Sequence, residues 1–168
     1  LGLMEAEKME NIKRVQLTID GMDVNVPADY TILKAAKEVN IKIPTLCFLK
    51  DVCEIGCCRM CLVEVEGMKN WQASCVQKVA EGMVVRTHTP DILNFRKKNL
   101  ELILSNHPAM CQSCSRGSTG CELKTLANTM ETEFVNYAKN QEVITANRVM
   151  EIDNGISIMR DPNRCILC

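Results

Sequence analysis

The sequence predicts an α+β fold for the first half of the chain. Residues 15–26 (VQLTIDGMDVNV) alternate apolar and polar side chains on both sides of Asp20-Gly21. This pattern is typical of two strands joined by a tight turn, because Asp-Gly favours the primed turns of hairpins. A helical pattern follows, and further strand-like segments come after it. Several strands combined with one helix indicate a small α+β domain.

The first helix is predicted to begin after Thr31, whose hydroxyl suits an N-cap. The next segment, ILKAAKEVN, has its apolar residues at helical spacing. Pro44 limits this helix, since proline disfavours helix in the residue before it. A long loop is expected from residue 45 to residue 60. Three strands are predicted after it, at residues 61–65, 71–75 and 83–87.

The second half is predicted to be mainly helical. Pro90-Asp91 begins a helix that runs to about Ser105. Its apolar stripe consists of Ile92, Phe95, Leu100, Ile103 and Leu104. The segment ELKTLANTM favours another short helix. Residues 132–156 have too weak a pattern for an assignment, and residues 156–159 favour a short strand.

Composition excludes several classes of protein. The 168 residues have a net charge of −1, so no basic surface points to nucleic acid or to an anionic membrane. No apolar run is long enough to span a bilayer, and the N-terminal residues lack the apolar core of a signal peptide. We therefore expect a cytoplasmic protein. Eleven cysteines, an odd number with three C-x2-C pairs, argue for metal binding rather than a disulfide scaffold.

Nine cysteines and one histidine form three groups with the spacing of metal ligands. The first group reads C-x10-C-x2-C-x13-C and consists of Cys47, Cys58, Cys61 and Cys75. Thiolates are the ligands of iron–sulfur clusters, and the C-x2-C pair predicts that Cys58 and Cys61 share one iron. Gly56 would let the backbone approach the inorganic sulfides. Four thiolates also suit structural zinc, although such sites usually contain two C-x2-C pairs.

Two cysteines near the first group are left over. Cys53 and Cys57 are expected to pack as small apolar side chains. Because Cys57 is adjacent to Cys58, an exchange of the two as ligand stays open. That exchange would break the C-x2-C spacing to Cys61.

The second group reads H-x3-C-x2-C-x6-C and consists of His107, Cys111, Cys114 and Cys121. The histidine completes three cysteines that would otherwise lack a fourth ligand. Structural zinc accepts the same four ligands, so this alternative stays open. A neutral imidazole in place of a thiolate should raise the potential of an iron–sulfur cluster. His88 has no comparable partners and is expected to be an ordinary strand residue.

The third group contains only Cys165 and Cys168. Two cysteines cannot hold a [4Fe–4S] cluster alone. They are therefore either unligated or the beginning of a site that continues beyond Cys168. We expect the latter, because SIMRDPNRCILC resembles the motif C-x2-C-x2-C-x3-C-P of bacterial-type ferredoxin domains, and this resemblance implies two residues and then another cysteine.

The motifs IPTLC, GCCRMCLVEVEG, SC and EGMVVRTHTP resemble the plant-type [2Fe–2S] domain at the front of several large redox subunits. These are the iron-only hydrogenases of NAD-linked complexes, the 75-kDa-type subunit of complex I and NAD-linked formate dehydrogenases; the diaphorase subunit of NAD-reducing hydrogenase shares it. The resemblance implies a β-grasp fold with Cys47, Cys58, Cys61 and Cys75 as cluster ligands. Residues 96–127 resemble the [4Fe–4S] segment of the same families, which implies His107, Cys111, Cys114 and Cys121 as ligands. SIMRDPNRCILC resembles the start of a bacterial-type ferredoxin domain.

These expectations divide the chain into four parts. They are a flexible tail at 1–12, a [2Fe–2S] β-grasp domain at 13–89, a small helical [4Fe–4S] domain at 90–140, and a linker with the start of a ferredoxin-like domain at 141–168. The expected cofactors are one [2Fe–2S] cluster and one [4Fe–4S] cluster, with further [4Fe–4S] clusters beyond Cys168.

The function that follows is electron transfer within an oxidoreductase subunit. Among the resembling families, SNHPAMCQSC and RDPNRCILC favour the iron-only hydrogenase subunit of an electron-bifurcating complex. Formate dehydrogenase and complex I are the alternatives, and a zinc-binding interaction module is the alternative of another class. The implied partners are a flavin-containing NADH-binding subunit and other iron–sulfur subunits. The sequence shows no general acid–base pair, nucleophile or phosphate loop, so no catalytic residue is predicted.

Overall fold

The computed structural model describes residues 13–108, 111–114, 116–117, 119–132, 152–153, 159–160 and 165–166. The chain divides into two compact units, Leu1–Asn94 and Phe95–Cys168. The predicted tail at 1–12 and the candidate ligand Cys168 lie outside the described residues.

The first unit is built on a five-stranded mixed sheet and one helix. The strands are β1 (Arg14–Ile19), β2 (Met22–Pro27), β3 (Leu62–Val65), β4 (Gln72–Ala73) and β5 (Val84–Arg86), and the helix is α1 (Ile32–Glu38). The strand order is β2-β1-β5-β3-β4. β1 and β5 are parallel, and the other neighbours are antiparallel. The predicted α+β class is confirmed, and the mixed sheet with its single helix agrees with the β-grasp that the resemblance implied.

The β1–β2 hairpin forms where the alternating pattern predicted it. Its register runs from Arg14 opposite Pro27 to Ile19 opposite Met22. Asp20 and Gly21 have φ values of 48° and 84°, as a primed turn requires at both central positions. Alternate side chains of the two strands are buried: Val15, Leu17, Ile19, Val24 and Val26. The apolar residues of the alternating sequence pattern are therefore the ones on the buried face of this hairpin.

Helix α1 begins at the predicted cap. The Thr31 hydroxyl accepts a hydrogen bond from the backbone N–H of Lys34 at 3.3 Å. The buried face of the helix consists of Ile32, Leu33, Ala35 and Ala36. The helix ends at Glu38, well before Pro44, because Asn40 already has a left-handed φ of 59°. Pro44 therefore does not itself end the helix; it only prevents the helix from extending further.

The remaining strands of the sheet lie within the predicted ranges and are shorter. β4 is only two residues long, and the chain leaves the sheet after Ala73. Residues 45–60 form no strand or helix, although Leu49 and Cys53 make an isolated antiparallel bridge. Because this loop is irregular, its cysteines can lie near the end of the β3–β4 pair.

The described elements beyond the sheet are two helices and a short strand pair. They are α2 (Pro90–Ser105), α3 (Glu122–Thr129), β6 (Ile152–Asp153) and β7 (Met159–Arg160). Both helices were predicted, and Ile92, Leu100 and Leu104 of the expected α2 stripe are buried. β6 falls in the region left unassigned. Neither α2, with 16 residues, nor another helix of the described chain is long and apolar enough to cross a bilayer.

The β1–β2 turn is fastened to the end of β5 by Asp20. One carboxylate oxygen accepts the backbone N–H of Thr87 at 2.7 Å, and the other accepts its hydroxyl. Thr87 is fully buried. The Asp20 carboxylate therefore satisfies two donors that would otherwise lose their hydrogen bonds inside the fold.

Asp20→Ala is expected to lower the free energy of unfolding by about 1–3 kcal/mol, because two donors of a buried residue lose their acceptor. Urea unfolding of the chain, followed by circular dichroism, measures this change. Asp23→Ala is the matched control, since Asp23 is exposed and accepts only the Thr18 hydroxyl. It should change stability by less than about 0.5 kcal/mol. Equal losses in the two variants would contradict the assigned role of Asp20.

Candidate metal centres

The β3–β4 pair brings two predicted ligands into contact. Leu62 lies opposite Ala73 in the register of the two strands. Cys61 directly precedes Leu62, and Cys75 follows two residues after Ala73. Their sulfur atoms are 3.3 Å apart, and both residues are buried. A local hairpin is therefore sufficient to place this pair of thiols.

The loop supplies a second pair of thiols. The backbone N–H of Cys58 donates a hydrogen bond to the Cys47 sulfur at 3.4 Å. Cys47 is buried, and Cys58 is half-buried. The sequence spacing predicted that Cys58 and Cys61 would share one iron. In the structure the Cys58 backbone contacts the Cys47 sulfur and the Cys61 sulfur contacts the Cys75 sulfur; which two ligands share an iron stays a prediction.

Gly56 allows the loop to approach these thiols closely. It has a left-handed φ of 66°. A Cβ atom at this position would lie 2.9 Å from Cγ2 of Val76 and 3.5 Å from the Cys75 sulfur. Only glycine combines that backbone conformation with the available space. The predicted close approach of the backbone at Gly56 therefore agrees with the local geometry.

Ionisation of the clustered thiols is strongly coupled. The hydrogen bond with Cys75 lowers the pKa of Cys61 to about 6. The same contact, with burial and the charge of neighbouring thiolates, raises the pKa of Cys75 above its ordinary value. Burial raises the pKa of Cys58. One thiolate is therefore accommodated easily, whereas further ionisation is opposed by desolvation and repulsion.

This donor set fits a thiolate-bound metal centre. Four thiolates in one partly buried region require positive charge to offset their repulsion, and iron ions supply it. The two leftover cysteines have other positions. Cys53 forms the two backbone hydrogen bonds of the Leu49 bridge, at 2.8 and 2.9 Å, and Cys57 is exposed.

The second predicted group lies in the second unit. His107 follows α2, and its backbone N–H donates to the Leu104 carbonyl at 3.0 Å. Its Nδ1 atom is buried. Cys121 is the N-cap of α3, and its sulfur accepts the backbone N–H of Lys124 at 3.5 Å. A thiolate at this position would also benefit from the positive end of the helix dipole.

Gly117 tightens the segment between these ligands. Its backbone N–H donates to the Cys114 carbonyl at 2.9 Å. A Cβ atom here would lie 2.2 Å from the Cys111 carbonyl oxygen, so a larger residue would force the turn open. Cys111 and Cys114 are themselves half-buried. The turn thus holds the backbone of two predicted ligands together.

The extent of convergence differs among the three groups. In the described part of the chain, no three His, Cys, Asp or Glu side chains meet closely enough to hold a single metal ion. The first group is assembled as two pairs, whereas the ligand set of the second group stays a prediction. Cys165 is exposed, and its predicted partner Cys168 lies outside the described residues.

Two buried residues were missed by the sequence patterns. Arg96 is only 1% exposed, although its charge excluded it from the apolar stripe of α2. Its spacing of four residues from both Ile92 and Leu100 was the available signal. Ser74 is fully buried beside the thiols. No pattern marks a single serine next to a cysteine, so only the structure identifies it.

Comparison with protein-family models finds two iron–sulfur domains in succession. Residues 12–90 match the 2Fe-2S iron-sulfur cluster binding domain. Residues 96–135 match the NADH-ubiquinone oxidoreductase-G iron-sulfur binding region, a 4Fe-4S family. These matches confirm the predicted cofactors, one [2Fe–2S] cluster and one [4Fe–4S] cluster, at the level of the domains. The individual ligands remain predictions.

Known proteins show the same similarity over nearly the whole chain. The chain is 41% identical over 165 residues to the NADP-reducing hydrogenase subunit HndD of Solidesulfovibrio fructosivorans, with 90% of this chain and 26% of that protein covered. It is 33% identical over 159 residues to the mitochondrial NADH-ubiquinone oxidoreductase 78 kDa subunit of Candida albicans, with 95% of this chain and 22% of that protein covered.

A solved structure of NAD+-reducing [NiFe]-hydrogenase superposes with a TM-score of 0.79 at 27% identity, covering 92% of this chain and 62% of that one. The chain thus spans about a quarter of the length of the two curated relatives. Both domain matches occur in the order that the sequence motifs predicted. The chain therefore contains, in succession, a 2Fe-2S cluster binding domain and an NADH-ubiquinone oxidoreductase-G iron-sulfur binding region, and it is similar over nearly its whole length to a hydrogenase subunit and to an NADH-ubiquinone oxidoreductase subunit.

Proposed function

We propose that this chain is an electron-transfer segment that binds its two clusters through eight of the predicted ligands. Cys47, Cys58, Cys61 and Cys75 hold the [2Fe–2S] cluster, and His107, Cys111, Cys114 and Cys121 hold the [4Fe–4S] cluster. One observation carries the proposal. In the segment that matches a [2Fe–2S] domain, the Cys61 sulfur contacts the Cys75 sulfur, and the Cys58 N–H donates to the Cys47 sulfur. When bound, such clusters accept and release single electrons.

The arrangement of the first four thiols favours a two-iron cluster over one zinc ion. A single tetrahedral ion needs all four ligands around one point. The structure has one sulfur–sulfur contact, at 3.3 Å between Cys61 and Cys75, and a separate bond from the Cys58 backbone N–H to the Cys47 sulfur. We infer that each pair serves one iron of the [2Fe–2S] cluster.

The proposed partners are a flavin-containing NADH-binding subunit and other iron–sulfur subunits of the same complex. The named relatives are themselves subunits of NAD(P)-linked oxidoreductases, which supports this assignment. Exposed apolar side chains on the segments that carry the thiols provide a surface for protein contact: Leu49, Val52, Ile55 and Val76. Hydrogenase is the proposed catalytic module, because the HndD relative has that activity in its name.

The activity of the full-length subunit in its complex distinguishes hydrogenase from the two alternatives, formate dehydrogenase and complex I. Hydrogen oxidation coupled to NAD(P) reduction supports the proposal, and formate oxidation or quinone reduction supports one of the others. We propose the cytoplasm as the location, since a reducing compartment keeps cysteines free for metal.

Cys61→Ser is expected to abolish or strongly alter the electron paramagnetic resonance signal of the reduced [2Fe–2S] cluster, because an iron loses a thiolate ligand. The [4Fe–4S] signal should persist and serve as an internal reference. The matched controls are Cys53→Ala and Cys57→Ala, which remove the two cysteines that the ligand spacing leaves out of the four-residue set. Loss of the signal in either control, with the signal retained in Cys61→Ser, would refute the ligand assignment.

His107→Cys is expected to retain the [4Fe–4S] cluster and to lower its midpoint potential. An anionic thiolate in place of neutral imidazole stabilises the oxidised cluster. A redox titration monitored by electron paramagnetic resonance measures the shift. His88→Cys is the matched control, because His88 contacts Thr87 and Asp20 at the end of β5. An unchanged potential in His107→Cys would show that His107 is not a ligand.

The anaerobically purified full-length subunit should contain iron and acid-labile sulfide and have broad visible absorption. Removal of the metal with a chelator under reducing conditions should bleach these bands. A colourless protein with stoichiometric zinc would instead favour the interaction-module alternative.

A further inference from the structure

Ser74 occupies a fixed position between the two strands and the thiol pair. It directly precedes Cys75 and is fully buried. Its backbone N–H donates to the Cys61 carbonyl at 3.1 Å, and its carbonyl accepts the backbone N–H of Leu33 at 2.9 Å. Both backbone groups are therefore satisfied, and the residue is tied to a ligand on one side and to α1 on the other.

The hydroxyl of Ser74 is a buried polar group without a hydrogen-bond partner in the described residues. A buried hydroxyl without an acceptor costs free energy, and buried polar groups in proteins are nearly always satisfied. The hydroxyl therefore needs an acceptor that is present only when the cluster is bound. That acceptor is either an inorganic sulfide of the cluster or a cysteine sulfur that is ionised as a ligand.

The neighbouring chemistry identifies that acceptor as sulfur. Ser74 directly precedes Cys75, and its backbone N–H donates to the Cys61 carbonyl. The sulfur atoms of these two neighbours are 3.3 Å apart and buried, so sulfur is the acceptor nearest in the chain and in the sheet to the Ser74 hydroxyl. Ala73, which precedes Ser74, has an apolar side chain, so it offers no competing acceptor.

We propose that the Ser74 hydroxyl donates a hydrogen bond to sulfur at the Cys61 side of the [2Fe–2S] cluster and raises its midpoint potential. The proposal rests on the ligand set described under the proposed function. A donor to a cluster sulfur stabilises the reduced form more than the oxidised form, because reduction adds negative charge. Ser74 is thus a positioning and tuning residue and not a ligand.

Ser74→Ala removes only the hydroxyl and is expected to lower the midpoint potential of the [2Fe–2S] cluster. The equilibrium constant for reduction should fall by on the order of tenfold, which is about 59 mV for a one-electron couple. The measurement is a redox titration of the full-length subunit, with the [2Fe–2S] signal followed by electron paramagnetic resonance. The [4Fe–4S] potential in the same sample should not change.

Thr87→Ala is the matched control, because Thr87 is another fully buried hydroxyl of the same domain whose bonds are to Asp20 and His88. It should lower stability without moving the potential. Ser74→Thr keeps a hydroxyl and should restore most of the wild-type potential. Resonance Raman bands of the iron–sulfur stretches in the wild-type protein should shift in D2O, and the shift should be smaller in Ser74→Ala, where only backbone donors such as the Cys58 N–H remain.

An unchanged potential in Ser74→Ala, with a normal [2Fe–2S] signal, would overturn the inference and leave the proposed function intact. A wild-type subunit without a [2Fe–2S] signal would instead overturn the proposed function. If Ser74→Ala fails to assemble the cluster, two other measurements test the hydrogen bond: the Raman shift of the wild-type protein and the midpoint potential of Ser74→Thr. Absence of the deuterium shift, or a lowered potential in Ser74→Thr, would then count against the hydrogen bond.

Discussion

The register of the β3–β4 pair, with Leu62 opposite Ala73, sets the contact on which the thiol site depends. It places Cys61 and Cys75 at hydrogen-bond distance in a buried position, where two negative charges repel each other. The loop then adds Cys47 and Cys58, which deepens the repulsion. Protonation of the thiols relieves this repulsion in the metal-free protein, whereas a bound cation relieves it when all four thiols are ionised as ligands. Metal binding and folding of this unit are therefore thermodynamically linked.

The rest of the first unit supports that small area. The parallel pairing of β1 with β5 and the antiparallel pairing of β5 with β3 hold the hairpin in the sheet. Helix α1 contributes a backbone donor from Leu33 to the Ser74 carbonyl, so the helix is connected to the ligand-bearing turn. The Asp20 carboxylate fixes the other end of β5 through Thr87. These contacts limit how far the thiols can move apart when charge on the site changes.

Most of the fold could be predicted from sequence, because its determinants are local. Alternation around Asp20-Gly21 indicated the hairpin, and Thr31 indicated the helix cap. The same is true of α2 and α3, whose apolar spacing is regular. The spacing of the cysteines predicted which residues belong together, and the domain comparisons agree with the predicted cofactors.

The partners within the first thiol group could not be predicted in the same way. Sequence spacing favoured Cys58 with Cys61, whereas the register of the β3–β4 hairpin, which the cysteine spacing does not reveal, brings the Cys61 sulfur into contact with the Cys75 sulfur. No pattern marked Ser74, and only its spacing from Ile92 and Leu100 marked Arg96, because the burial of a polar side chain depends on what packs around it. Tertiary environment decided each of these three cases.

The hairpin that joins Cys61 to Cys75 also has a kinetic consequence. It closes a short loop, whereas β1 must find β5 across most of the domain, with Thr18 opposite Val84. Short loops close faster than long-range strand pairs, so these two thiols meet early in folding. Before metal arrives, adjacent thiols are also the pair most readily oxidised to a disulfide. The timing of cluster insertion relative to exposure to oxidants therefore determines the yield of functional protein.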